Sequence, residues 1–139
     1  MVGTNSRLDE LQAGLLNVRL PHMDEITKER QELAARYREK IKQELVALPM
    51  ERDETETVWH QYVIRCERRQ ELIDYLSQKE IGTIIHYPIP PHLSEAYAYL
   101  GHKRGDFPVT ESYADTVLSI PMYTGMTRQE QDYVIEAVN

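Results

Sequence analysis

The sequence predicts an α/β fold of the α+β kind: a small two- to three-stranded sheet packed with helices and preceded by a long helical pair. Three observations carry this. Leu8, Leu11, Leu15, Leu16 and Leu20 recur at helical spacing, and Ile26, Leu33, Tyr37 and Ile41 continue a helical pattern beyond Pro21. Val58-Trp59-His60-Gln61-Tyr62-Val63-Ile64 is dense in aromatic and β-branched side chains, which suit a pleated, half-buried surface. Thr83-Ile84-Ile85-His86-Tyr87 reads the same way, and a helical pattern lies between the two runs.

A chain of 139 residues suffices for one domain with a real core, since about two-thirds of the unfolded surface is buried at this size. Hydrophobic residues make up 41% and charged residues 28%, a globular balance. The net charge is −7 with the signs interspersed, which argues against nucleic-acid partners, because those require a clustered basic face. Cys66 is the only cysteine, so no internal disulfide can form, as suits a reducing compartment. No apolar run approaches the ~20 residues that span a bilayer, and no signal peptide is read ahead of the fold. The expectation is a soluble, cytoplasmic chain with no membrane partner.

In chain order, residues 7–20 predict an amphipathic helix. Ser6 and Asp9 have capping-box spacing, in which each side chain covers a free backbone N–H. That start is either a plain helix cap or, with Asn5 and Arg7 beside the positive helix end, a cradle for phosphate. Pro21 ends or kinks the helix. A second helix is expected from His22 to about Leu45, with Glu32 and Arg36 forming an i,i+4 pair worth about 0.2–0.5 kcal/mol.

Pro49 to Glu56 predicts a loop, and Val58–Ile64 a central strand. Glu71 to Glu80 predicts a helix with Leu72, Tyr75 and Leu76 inward and Gly82 just past its end. Thr83–Tyr87 is a second strand, stopped by Pro88, and Pro88-Ile89-Pro90-Pro91 forces a stiff, extended path. Ser94–Leu100 is a short helix closed by Gly101. Pro108 opens another, with Val109, Tyr113, Val117 and Leu118 on one face. Ser119-Ile120-Pro121 is a short extended piece, and Thr127 with Glu130 forms a capping box at the start of the last helix. The helical pair is long for so small a sheet, so part of its apolar surface is expected to face another chain or domain.

Candidate chemistry is sparse. His86 and His92 share a proline-bounded loop, but their spacing lacks the converging ligands of a metal site, and no metal is expected. Rings held between prolines suit a ligand contact at low entropic cost, whereas composition alone favours a purely structural loop. His60 is expected to be a core or sheet histidine, and His22 and His102 to lie on the surface. No serine or cysteine has a nucleophile setting, and the isolated Gly82, Gly101 and Gly105 make no phosphate loop. Residues alone assign no reaction.

Taken together, three segments resemble one family. Gly3-x-Asn5-x-Arg7-Leu8-Asp9-Glu10-Leu11-Gln12-Ala13 resembles the start of the C-terminal region of DegT/DnrJ/StrS-type sugar aminotransferases. Val58–Ile64 resembles the first strand of their small domain. Ile84-Ile85-His86-Tyr87-Pro88-x-Pro90-x-His92, with Phe107-Pro108 and Leu118-Ser119-Ile120-Pro121, resembles a later signature.

The resemblance implies the C-terminal domain of a type I aminotransferase fold. Residues 1–139 would form one small domain, with 1–48 the helical pair and 57–139 the sheet and its helices. The implied parent is a homodimeric pyridoxal-phosphate enzyme that moves an amino group, commonly from glutamate, to a keto sugar nucleotide. Asn5 would reach the cofactor phosphate of the neighbouring subunit, and Arg7, His86, Tyr87 and His92 would contact the nucleotide-sugar. The family's Schiff-base lysine lies upstream of the Gly-x-Asn-x-Arg segment. Lys28, Lys40, Lys42, Lys79 and Lys103 fall in surface helices or loops. The chain alone is therefore expected to have no catalytic residue, to bind no cofactor and to be inactive. Its expected partners are its own large domain and a second subunit. The alternative is a non-catalytic module that binds a nucleotide-sugar or dimerises, or a regulator related to the family.

Overall fold

Helix α1 (Glu10–Arg19) starts on Asp9, whose carboxylate accepts the Leu11 N–H at 2.8 Å, in a computed structural model that describes residues 8–139. The helix thus begins later than the expected residue 7, with Asp9 as its cap; Ser6 lies outside the described residues. Pro21 does not break the path. It sits in a short 3-10 turn, Leu20–His22, that leads directly into α2 (Met23–Lys40), because a proline at the first turn forfeits an N–H that has no intrahelical partner there. The expected end of this helix near Leu45 is too late, since Ile41 is already extended and Leu45 is exposed.

Strand β1 (Tyr62–Arg65) pairs antiparallel with β2 (Val117–Ile120), in register Tyr62↔Ile120 and Ile64↔Leu118. The strand predicted over Val58–Ile64 is displaced to its C-terminal half. Trp59 has a left-handed backbone, φ +47°, that no strand accommodates. The second predicted strand shrinks to one bridge: Ile84 exchanges both backbone hydrogen bonds with Ser119, at 3.2 and 2.8 Å. β2 therefore lies between β1 and the Ile84 segment.

Helix α3 (Arg69–Gln78) buries Leu76 and part of Leu72, whereas Tyr75, expected inward, is exposed. Its end is closed by Glu80 in the left-handed region, φ +58°, and not by Gly82. Two 3-10 turns follow, Pro91–Leu93 and Glu95–Leu100, the latter ended by Gly101 at φ +74°. Helix α4 (Pro108–Thr116) has Pro108 at its first turn, but its buried residues are Glu111 and Ala114; of the four residues expected on one helix face, Val109 and Tyr113 are exposed, and Val117 and Leu118 belong to β2. Helix α5 (Arg128–Val138) carries the full Thr127–Glu130 capping box.

Strand alternation places Tyr62, Ile64, Leu118 and Ile120 in one core with Leu33, Ala34 and Tyr37 of α2, Leu76, and Val134, Ile135 and Val138 of α5. Tyr62 stands between the rings of Tyr37 and Trp59, at 5.0 and 5.4 Å. The Tyr37 hydroxyl donates to Pro121 O at 2.6 Å, and buried Gln131 donates to Leu33 O at 2.8 Å, so polar groups tie α2 to β2 and α5. Arg36 pairs with Asp132 of α5 and not with Glu32 as expected. Helix α1 lies apart from this core. It buries no residue, and Leu8, Leu11, Leu15, Leu16 and Leu20 are all exposed. No helix among the described residues is long and apolar enough to cross a membrane.

Candidate functional site

Alternation along β2 sends Leu118 and Ile120 to the core and turns Ser119 to the opposite face, beside Val63 and Ile84. His86, two residues past Ile84, is diagonal to Ser119, within reach for a side-chain pair. Its Nδ1 lies 2.9 Å from Ser119 Oγ. The Tyr87 ring stands edge-on to His86, with centroids 5.4 Å apart, and is exposed. The peptide bond between them is cis. Pro88 then stiffens the exit of the chain.

His86 and Ser119 line an open cleft of about 190 Å³ whose other polar side chains are His60 and Gln61. His60 is exposed, contrary to the expected core position. The left-handed turn at Trp59 swings it out, and Arg30 pins that turn by donating to Trp59 O and His60 O at 2.9 and 3.0 Å. A larger cleft, about 400 Å³, lies by the end of β1; its two arginines are engaged, Arg68 with Glu71 and Arg65 over the Tyr113 ring at 4.5 Å, and Glu44 and Glu67 also line it. The smaller cleft holds the ring with a nitrogen to spare.

His92 does not line the His86 cleft. Its Nε2 lies 3.0 Å from Glu111 Oε1, and both side chains are only 8% exposed. Glu111 also accepts the N–H groups of Gly105 and Phe107. Burial acts to raise the Glu111 carboxyl, but the hydrogen bonds from Gly105, His92 and Phe107 outweigh it and hold the group below its ordinary value. An ionised carboxylate has no proton to offer, so His92 Nε2 is the donor. Gly105 sits at φ +101°, a conformation other residues adopt only under strain.

Of the residues singled out from sequence, His86 and Tyr87 are adjacent, His92 is held apart by Glu111, and Asn5 and Arg7 lie outside the described residues. Sequence reasoning passed over Ser119 and Glu111 as site residues. Ser119 carried one signal, a hydroxyl in an otherwise apolar strand.

The chain matches the DegT/DnrJ/EryC1/StrS aminotransferase family over residues 1–139. It belongs to this family. It is 42% identical over 137 residues to the dTDP-3-amino-3,6-dideoxy-alpha-D-galactopyranose transaminase of Aneurinibacillus thermoaerophilus, covering 99% of this chain and 37% of the relative. It is 45% identical over 134 residues to the erythromycin biosynthesis sensory transduction protein EryC1 of Saccharopolyspora erythraea, covering 96% and 37%. Among solved structures, Streptomyces venezuelae DesV in complex with a ketimine intermediate superimposes with TM-score 0.90 at 43% identity, over 98% of this chain and 37% of that one. A family aminotransferase from Brucella abortus gives TM-score 0.87 at 34% identity, over 98% and 36%. The chain thus spans little more than a third of the length of these relatives, and its fold is that of the matching part of a sugar aminotransferase.

Proposed function

We propose that residues 1–139 are the C-terminal, small-domain part of a pyridoxal-phosphate-dependent sugar aminotransferase. The whole enzyme transfers an amino group from an amino acid, glutamate, to a keto sugar nucleotide in amino-sugar or cell-surface polysaccharide biosynthesis. The observation that carries this reading is the 42% identity, along 99% of the chain, to a protein named as a dTDP-amino-sugar transaminase.

In this reading the chain supplies the wall of the substrate site. His86 and Tyr87, stiffened by the following prolines, meet the nucleotide-sugar, and Arg7 offers a guanidinium to its diphosphate. Asn5 reaches the cofactor phosphate of a second subunit. The exposed leucines of α1 pack on the large domain. His92, buried against Glu111, shapes the loop and is the least direct of these contacts.

The described residues do not by themselves fit the cofactor. Lys28, Lys40, Lys42, Lys79 and Lys103 are all exposed; Lys40 pairs with Glu39 at 2.8 Å, and none of them lines the His86 cleft. The Schiff-base lysine and the ring-stacking wall therefore belong to another part of the enzyme, and this chain alone is inactive.

Adding pyridoxal phosphate to the chain tests this directly. No stoichiometric aldimine absorbance and no borohydride-trapped lysine adduct are expected, while a nucleoside-diphosphate sugar shifts the NMR signals of His86 and Tyr87. A trapped stoichiometric adduct overturns the division of labour. A regulatory reading draws on relatives named as a sensory transduction protein and a pleiotropic regulatory protein. Transaminase activity in the complete protein excludes it.

A further inference from the structure

We propose that Ser119 is a positioning residue that holds the His86 ring as its Nε2–H tautomer, making the nitrogen left to the cleft a hydrogen-bond donor. Ser119 is 7% exposed and cannot drift, because its strand is bonded on one edge to β1 and on the other to Ile84. Its side chain has one partner among the described residues, His86 Nδ1 at 2.9 Å. A hydroxyl carries one donor and two acceptor sites, and a neutral imidazole carries one proton.

Two arrangements fit that distance. If Nδ1 held the proton, it would donate to Oγ and leave the proton of a serine only 7% exposed with no acceptor among the described residues, a less favourable state. If the serine proton points at Nδ1, both groups are satisfied, and the ring proton must sit on Nε2. The tautomer of a histidine follows from the bond its other nitrogen makes, and here that bond is made by a residue fixed in a strand.

The consequence concerns what the cleft accepts. Nε2 has no protein partner among the described residues, and as an N–H it seeks an oxygen: a phosphate, a carbonyl or a sugar hydroxyl. It offers no lone pair to a metal. That this oxygen belongs to the nucleotide-sugar rests on the function proposed above; the tautomer does not.

NMR of the 15N-labelled 139-residue chain near pH 8, where a histidine of ordinary pKa is neutral, separates the two. Long-range couplings of the His86 ring should show Nε2–H alone in the wild type and a mixture with Nδ1–H in Ser119→Ala. Ser119→Thr, which keeps the hydroxyl, should restore the wild-type pattern, and the His92 ring signals should not move in either variant. Wild-type His86 protonated on Nδ1 overturns the assignment even if Ser119→Ala fails to fold. An unchanged tautomer in a folded Ser119→Ala overturns it as well. Titration with a nucleoside-diphosphate sugar is the second arm. A correct tautomer with no shift at Nε2 supports the role of Ser119 and counts against the substrate reading.

Discussion

The His92 imidazole and the Glu111 carboxylate meet at 3.0 Å, both side chains nearly out of solvent. Through this pair the proline-bounded loop after Tyr87 is tied to α4, and the same carboxylate gathers the N–H groups of Gly105 and Phe107. Phe107 packs against the His92 ring, with centroids 4.8 Å apart, so one acidic side chain organises the chain on both sides of the 3-10 turns.

That arrangement predicts a pH-dependent contribution to stability. The Glu111 carboxyl is held below its ordinary value of 4.5, so its contribution is complete above that pH and is lost as pH falls through the lower, folded value. Glu111→Gln should lower the thermal midpoint at neutral pH by on the order of 5 °C. The gap to wild type should close as pH falls through that lowered value. Comparing the two proteins at each pH cancels the other carboxylates held low by hydrogen bonds, Glu51 and Glu130 among them. A gap independent of pH would show that Glu111 acts by shape alone.

Arg30 holds the left-handed turn at Trp59 through two carbonyl oxygens. Hydrogen bonds from a charged donor contribute about 1.5–3 kcal/mol, so Arg30→Met should cost that much in urea unfolding. Both bonds come from the one nitrogen Nη1, and Arg30→Lys should recover only part of it, since lysine brings a shorter side chain and a more strongly hydrated ammonium. Full recovery with lysine would mean that charge, not geometry, holds the turn.

Two buried tyrosines predict opposite outcomes for the same substitution. Tyr37 donates to Pro121 O, and Tyr37→Phe should lose about 1 kcal/mol. The Tyr62 hydroxyl is buried without a partner among the described residues, and burial pushes its pKa up to about 12. Removing an unsatisfied buried group relieves its desolvation, so Tyr62→Phe should be neutral or stabilising by about 1 kcal/mol. A loss of stability in Tyr62→Phe would point to a bound water as the missing partner.

Glu80 closes α3 in the left-handed region at φ +58°, where a side chain costs about 1–2 kcal/mol. Glu80→Gly should therefore stabilise the chain by roughly 0.5–1 kcal/mol after the added freedom of the unfolded state is deducted. Calorimetry should show a higher midpoint; an unchanged one would mean that the Glu80 side chain offsets the strain.

What the sequence disclosed follows the range of the interactions involved. The Thr127 capping box, Pro108 at a first turn and Gly101 at a helix end depend on residues within four positions of one another, and all three are found as read. The start of β1, the outward swing of His60 and the closure of α3 were misplaced. The first two hinge on Arg30, 29 residues before Trp59, and the third on Glu80 accepting a conformation that composition assigns to Gly82. Ser119 is separated from His86 by 33 residues, and Glu111 from His92 by 19, so neither pair leaves a local pattern to read.

The leucines of α1 and β2 allow the sharpest contrast. Leu118 is fully buried opposite Ile64, and truncating it leaves a cavity in a core shared by α2, β1 and α5. Leu118→Ala should cost about 2–5 kcal/mol, the range for buried leucines. Leu11 looks equally hydrophobic in sequence but is 74% exposed on a helix that buries nothing, so Leu11→Ala should stay within about 0.5 kcal/mol. Urea unfolding at low protein concentration measures both without contributions from association. A loss of several kcal/mol in Leu11→Ala would mean that α1 folds back onto the core in solution, and that its apolar face is not available to cover the rest of a longer enzyme.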